Sequence, residues 1–71
     1  MVKRINIYAK ETLRTLKRAD RRLTTRQVAE KSGMKWETAK KYLGRLNNRG
    51  LIHTQKAGNR RFWSTRKSDL K

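Results

Sequence analysis

The sequence predicts a mainly α fold, three helices followed by a small β-hairpin. Three observations point to it. Apolar residues repeat at i, i+4, i+7 twice, as Ala9, Leu13, Leu16 and as Ala39, Leu43, Leu46, the stripe of a helix that buries one face. Between them stands a helix-start signal, Thr24 followed three residues later by Gln27. After them, Gly58-Asn59 is bracketed by β-branched and aromatic residues, the mark of a two-residue hairpin loop.

The first helix is expected over 6–19, "NIYAKETLRTLKRA", with Lys10, Arg14, Lys17 and Arg18 off the apolar stripe and Ile5 and Ile7 adding to the core. "DRR" (20–22) is a short polar break. In "LTTRQVAEKSG" the Thr24 hydroxyl can accept from a free end amide while Gln27 reaches back, and Leu23 and Val28 can staple across the cap. Val28 and Ala29 then face inward, and Gly33 ends the second helix, 25–32, in a left-handed conformation. The third helix runs from about 36 to 48 with Tyr42 on its flank. Asn47, Asn48 and Gly50 supply its stop, with Gly50 after the C-cap and Leu51 folding back. Within it, Gly44 costs about 1 kcal/mol against alanine and admits the close approach of a second backbone, its own protein's or a partner's.

In "LIHTQKAGNRRFWST" (51–65), a Gly58-Asn59 loop sets Ala57 opposite Arg60, Gln55 opposite Phe62, Thr54 opposite Trp63 and Ile52 opposite Thr65. Ile52, Thr54, Trp63 and Thr65 then share one face, read as the core side, with Phe62 outside near Gln55. Arg60 and Arg61 are expected off that face. Residues 1–65 are thus read as a single domain and 66–71, "RKSDLK", as a short flexible basic tail.

With 71 residues the chain holds one domain with a modest core. It has no cysteine, so disulfides and thiolate metal sites are excluded. Its apolar runs are too short for a membrane span, and "MVKRINIYAK" lacks the apolar stretch of a signal peptide. These features predict a soluble protein, cytoplasmic and nucleoid-associated in a prokaryotic host or nuclear in a eukaryote. The net charge of +16 comes from 21 Lys and Arg against five Asp and Glu, spread over both halves of the chain. A body so charged repels itself unless a polyanion neutralises it. Nucleic acid is the obvious one, through counterion release. The acids Glu11, Asp20, Glu30, Glu37 and Asp69 are scattered and form no catalytic pattern. The chain reads as non-enzymatic, with no cofactor, metal or small-molecule site evident. His53 stands alone and reads as a strand residue.

The segment "VAEKSGMKWETAKKYLGRLNNRGLI" resembles the winged helix-turn-helix DNA-binding family, through Val28, Ala29, Gly33, Met34, Leu43, Leu46, Gly50, Leu51 and Ile52. With the first helix and the hairpin the resemblance covers residues 6–65. It implies a recognition helix whose N-terminal half meets base edges in the major groove. Here that half carries Lys35, Trp36, Glu37, Thr38, Lys40 and Lys41, and Arg45 extends the positive strip. Arg26, near the start of the second helix, is placed for a phosphate. The hairpin becomes the wing, with Lys56, Asn59, Arg60 and Arg61 at its tip, aimed at the backbone or minor groove. Lys35 departs from the pattern, which has a capping Ser or Thr at that position.

Two residues keep two readings each. Trp36 either meets DNA or covers a core edge. Glu37 either accepts from a cytosine amino group or simply favours a helix N-terminus. The function expected is sequence-specific binding of double-stranded DNA by a small transcriptional regulator, a monomer that pairs on DNA because its charge opposes dimers elsewhere. The alternatives are a DNA-coating architectural or replication-associated protein and a structural RNA-binding protein of ribosomal type.

Overall fold

The computed structural model describes residues 7–70. Three helices, α1 (Ile7–Ala19), α2 (Thr25–Ser32) and α3 (Trp36–Asn48), pack around one core. Strands β2 (His53–Ala57) and β3 (Arg60–Ser64) form the hairpin. A two-residue strand β1 (Leu23–Thr24) pairs antiparallel with β3, making a three-stranded sheet of order β1-β3-β2.

The helix boundaries follow from local chemistry. The amide of Gln27 donates to Thr24 Oγ1 (3.1 Å) and the amide of Thr24 donates to Gln27 Oε1 (2.9 Å), so the capping box is complete. Gly33 closes α2 in the left-handed region. At the end of α3 the Gly50 amide donates to the Asn47 carbonyl and the Leu51 amide to the Leu46 carbonyl, both at 3.0 Å. That pair of bonds needs a left-handed residue between helix and exit, and Gly50 has φ 77°. The backbone turns back there while the Leu51 side chain stays about half exposed.

Leu16, Leu23, Val28, Ala29, Ala39, Leu43, Leu46, Ile52 and Trp63 form the buried cluster. Ala9 and Leu13 pack at its margin. Tyr42 is buried rather than flanking, and its ring lies 5.7 Å from that of Tyr8. Ile7 does not join the core. It is 69% exposed, because it begins α1 on the side away from Thr12 and Leu16. Ile5 lies outside the described residues.

The hairpin has the expected register, with Thr54 opposite Trp63 and Ala57 opposite Arg60. Ile52 and Trp63 are buried on the core side. Arg61 corrects the expectation for its face. Side chains two apart on a strand share a face, so Arg61 extends from the Trp63 side, its guanidinium 6.0 Å from the indole centroid. Phe62 is half-buried on the other side, where the Arg22 guanidinium lies 4.3 Å from its ring centroid.

Composition predicts a loose tail after residue 65, and the structure differs. Lys67–Leu70 form a 3₁₀ turn packed on β2 and β3, with Leu70 only 7% exposed. The turn is pinned through Asp69. Ser64 donates its hydroxyl to Asp69 Oδ2 (2.6 Å), and Arg66 bridges Asp69 (3.2 Å) and Asp20 (2.9 Å).

Candidate nucleic-acid interface

The wing is tied to the helix pair at its root. The Trp63 indole N–H donates to the Thr25 hydroxyl at 2.8 Å, and β1 hydrogen-bonds β3 immediately before α2 begins. The N-terminus of α2, the first half of α3 and the hairpin tip therefore stand in a fixed relation. Between them opens a cleft of about 600 Å³. Arg26, Lys40, Lys56, Arg60 and Arg61 line it, with Trp36 and Asn59, and no carboxylate does. Residues far apart in the chain thus make one positively charged concavity, which favours an anionic ligand.

The lining also includes Thr24 and Gln27, which the sequence marks only as capping residues, and Thr25, the first residue of α2. Trp36 is half exposed and lies outside the buried cluster, and Lys40 Nζ sits 4.9 Å from its ring centroid. The indole is a wall of the cleft and not a cover for the core. Arg26 reaches Glu30 at 3.5 Å, but both side chains are more than 60% exposed, so the pair is screened and leaves the guanidinium available to a phosphate.

The other expected residues sit elsewhere on α3. Lys35 is its N-cap residue, and its side chain makes no capping bond. Glu37 is exposed in the first turn and Thr38 is half-buried. Lys41 and Arg45 lie on the flank away from the wing, their charges 5.8 and 5.5 Å from the Tyr42 ring centroid. The exposed strip of α3 is therefore wider than the cleft. It also takes in Asn48, in the same i, i+4, i+7, i+11 row as Glu37, Lys41 and Gly44. That row is the polar counterpart of the core stripe and is readable from spacing.

The family model for winged helix-turn-helix DNA-binding domains matches residues 5–53. No curated protein sequence matches the chain. Among solved structures, one of HOP2, described for its DNA recognition and protein interaction domains, superposes with TM-score 0.72 at 20% identity, over 80% of this chain and 95% of that one. A possible transcriptional regulatory protein from Mycobacterium bovis gives TM-score 0.67 at 24% identity, over 76% of this chain and 59% of that one. A mutant of Lactococcus lactis ZitR in complex with DNA gives TM-score 0.72 at 24% identity, over 92% of this chain and 45% of that one. The chain spans less than two thirds of the last two proteins. At these identities the structural likeness speaks for the fold, and the family match, over more than half of the chain, agrees with it. The chain belongs to the winged helix-turn-helix DNA-binding family.

Proposed function

We propose that the protein binds double-stranded DNA with sequence preference, as a small transcriptional regulator. In this reading α3 enters the major groove and the wing tip lies on the flanking backbone or minor groove. The observation that carries it is the cleft, where five cations from α2, α3 and the two strands of the hairpin converge and which no carboxylate lines. A helix fits the major groove, and α3 presents Lys40, Lys41 and Asn48 on exposed positions. Arg26 and the wing residues Lys56, Arg60 and Arg61 supply phosphate contacts, which fix register without reading sequence. Binding replaces catalysis as the activity. The like charge of two copies falls once DNA neutralises it, so pairing belongs on the DNA.

One observation favours a second reading, a DNA-coating protein. The outer side of α1 exposes Lys10, Arg14, Lys17 and Arg18, away from the cleft, with Glu11 at 3.7 Å from Arg14 as the acid beside them. Selection of bound duplexes from a random DNA pool separates the two. An enriched motif supports the regulator, and recovery of unenriched DNA supports the coating protein. Affinity on any duplex should fall steeply with salt, log K against log salt sloping by roughly −5 to −7 for about six to eight phosphates. A flat response would refute both.

A further inference from the structure

Gly44 stands in the middle of α3, where glycine is the costliest residue short of proline. Three features of a protein can demand glycine inside a helix, and none holds at this position. Its φ is not in the left-handed region, since Gly33, Gly50 and Gly58 are the only glycines with positive φ among the described residues. α3 runs unbroken from Trp36 to Asn48, so no hinge divides it. A Cβ built at Gly44 would meet no atom within 4 Å among the described residues, so no neighbouring element needs the space.

The position it occupies is telling. Ala39, Tyr42, Leu43 and Leu46 are the buried side of α3. At 3.6 residues per turn, Gly44 falls on the opposite side, between Glu37 and Lys41 one turn before and Asn48 one turn after. Lys40 and Arg45 border the same strip. Gly44 itself is half-buried between exposed neighbours, so the middle of the strip is a gap of bare backbone rimmed by long polar side chains.

We propose that Gly44 is the point of closest approach of α3 to DNA, its missing side chain demanded by the complex and not by the fold. This rests on the DNA-binding reading above and adds to it a positioning residue with no functional group. The bare turn lets the helix axis sit deep in the groove, so that Lys40, Lys41 and Asn48 reach base edges alongside it. A methyl group there lifts the helix and withdraws all of them together.

The test compares Gly44→Ala and Gly44→Gln with the wild type, by thermal melting and by titration of a short mixed-sequence duplex at fixed salt. Both substitutions fill open space with a better helix former, so both variants should melt higher, Gly44→Ala by about 4–8 °C. Both should bind more weakly, Gly44→Ala by about tenfold, the size of one base-edge interaction, and Gly44→Gln by more. Greater stability with poorer binding is the signature. Variants that bind as tightly as the wild type overturn the inference, and so does an alanine variant that melts lower, since the fold would then require the glycine. Lys40→Ala, measured alongside, separates this from failure of the parent reading. If the wild type binds and Lys40→Ala weakens it while Gly44→Ala does not, only the inference about Gly44 falls. If the wild type shows no salt-sensitive binding, both fall.

Discussion

The indole N–H of Trp63 donates to the hydroxyl of Thr25 at 2.8 Å. One residue is in the hairpin and the other begins α2. The bond crosses from wing to helix-turn-helix, while the Trp63 ring is buried with Leu23, Leu43 and Ile52. A single side chain thus both fills the core and fixes where the wing points.

These two roles separate by mutation. Trp63→Ala should cost about 3–5 kcal/mol, enough to lower Tm by more than about 12 °C in a domain of this size. Thr25→Val keeps the bulk but leaves the buried N–H without its acceptor, at a cost of about 1–3 kcal/mol. Thermal melts of the two check the order. A Trp63→Ala protein that melts with the wild type would mean that Trp63 is not a core residue.

Arg60 and Arg61 sit at the exposed end of β3, across from Ala57 and Lys56. Arg61 shares the Trp63 side, its guanidinium 6.0 Å from the indole centroid, but is itself solvent-exposed, and a cation–π contact at an exposed site contributes only about 0.5–1 kcal/mol. Replacing both by alanine should leave Tm within a few degrees of the wild type. Affinity should weaken almost uniformly across DNA sequences, and the salt slope should shrink by about 1 for each phosphate that the wing no longer engages. Titrations at several salt concentrations on two unrelated duplexes measure this. A loss confined to one sequence would make the wing a base reader.

Lys40 faces the cleft beside Trp36, whereas Lys41 lies on the far flank near Tyr42. Both should lose more on a selected site than on random DNA when changed to alanine, by about 1–3 kcal/mol per base-edge interaction. Competition between the two DNAs reads this directly. Equal losses on both would place the lysines on phosphates and favour the coating protein.

Most of the fold was legible because each helix carries its own signal. The stripe at 39, 43 and 46, the Thr24/Gln27 box and the Gly50 exit are all local, and the two-residue loop sets the hairpin register. What escaped was non-local. Leu23–Thr24 is too short to show alternation, and only its partner on β3 makes it a strand. The last turn holds one apolar residue, Leu70, and its anchor joins Arg66 to Asp20, 46 positions away. The candidate site divides in the same way. The exposed residues of α3 and the wing can be named from spacing, but Thr24 and Gln27 look like capping residues until the fold sets them beside the wing.

The C-terminal turn makes a prediction about acid. Asp69 accepts from the Ser64 hydroxyl and from Arg66, and these contacts, Ser64 first, hold its carboxyl below the ordinary aspartate value. A carboxyl whose folded pKa is depressed stabilises the fold fully above its unfolded pKa, about 3.9. That contribution is lost as pH falls through the lower folded value. Asp69→Asn removes the charge at every pH, so at neutral pH it should melt below the wild type. On acidification below about pH 4, the wild type should lose this contribution and the two Tm values should converge. General charge repulsion also grows in acid, but in both proteins, so the difference between them isolates Asp69. The turn packs on the hairpin, and Asp69 lies with Arg22 and Phe62 in a second hollow and does not line the cleft. DNA affinity at neutral pH, well below either melting temperature, should therefore be unchanged. A Tm gap that stays constant down to about pH 2, below the unfolded carboxyl value, would show that the ionised carboxylate does not hold the turn.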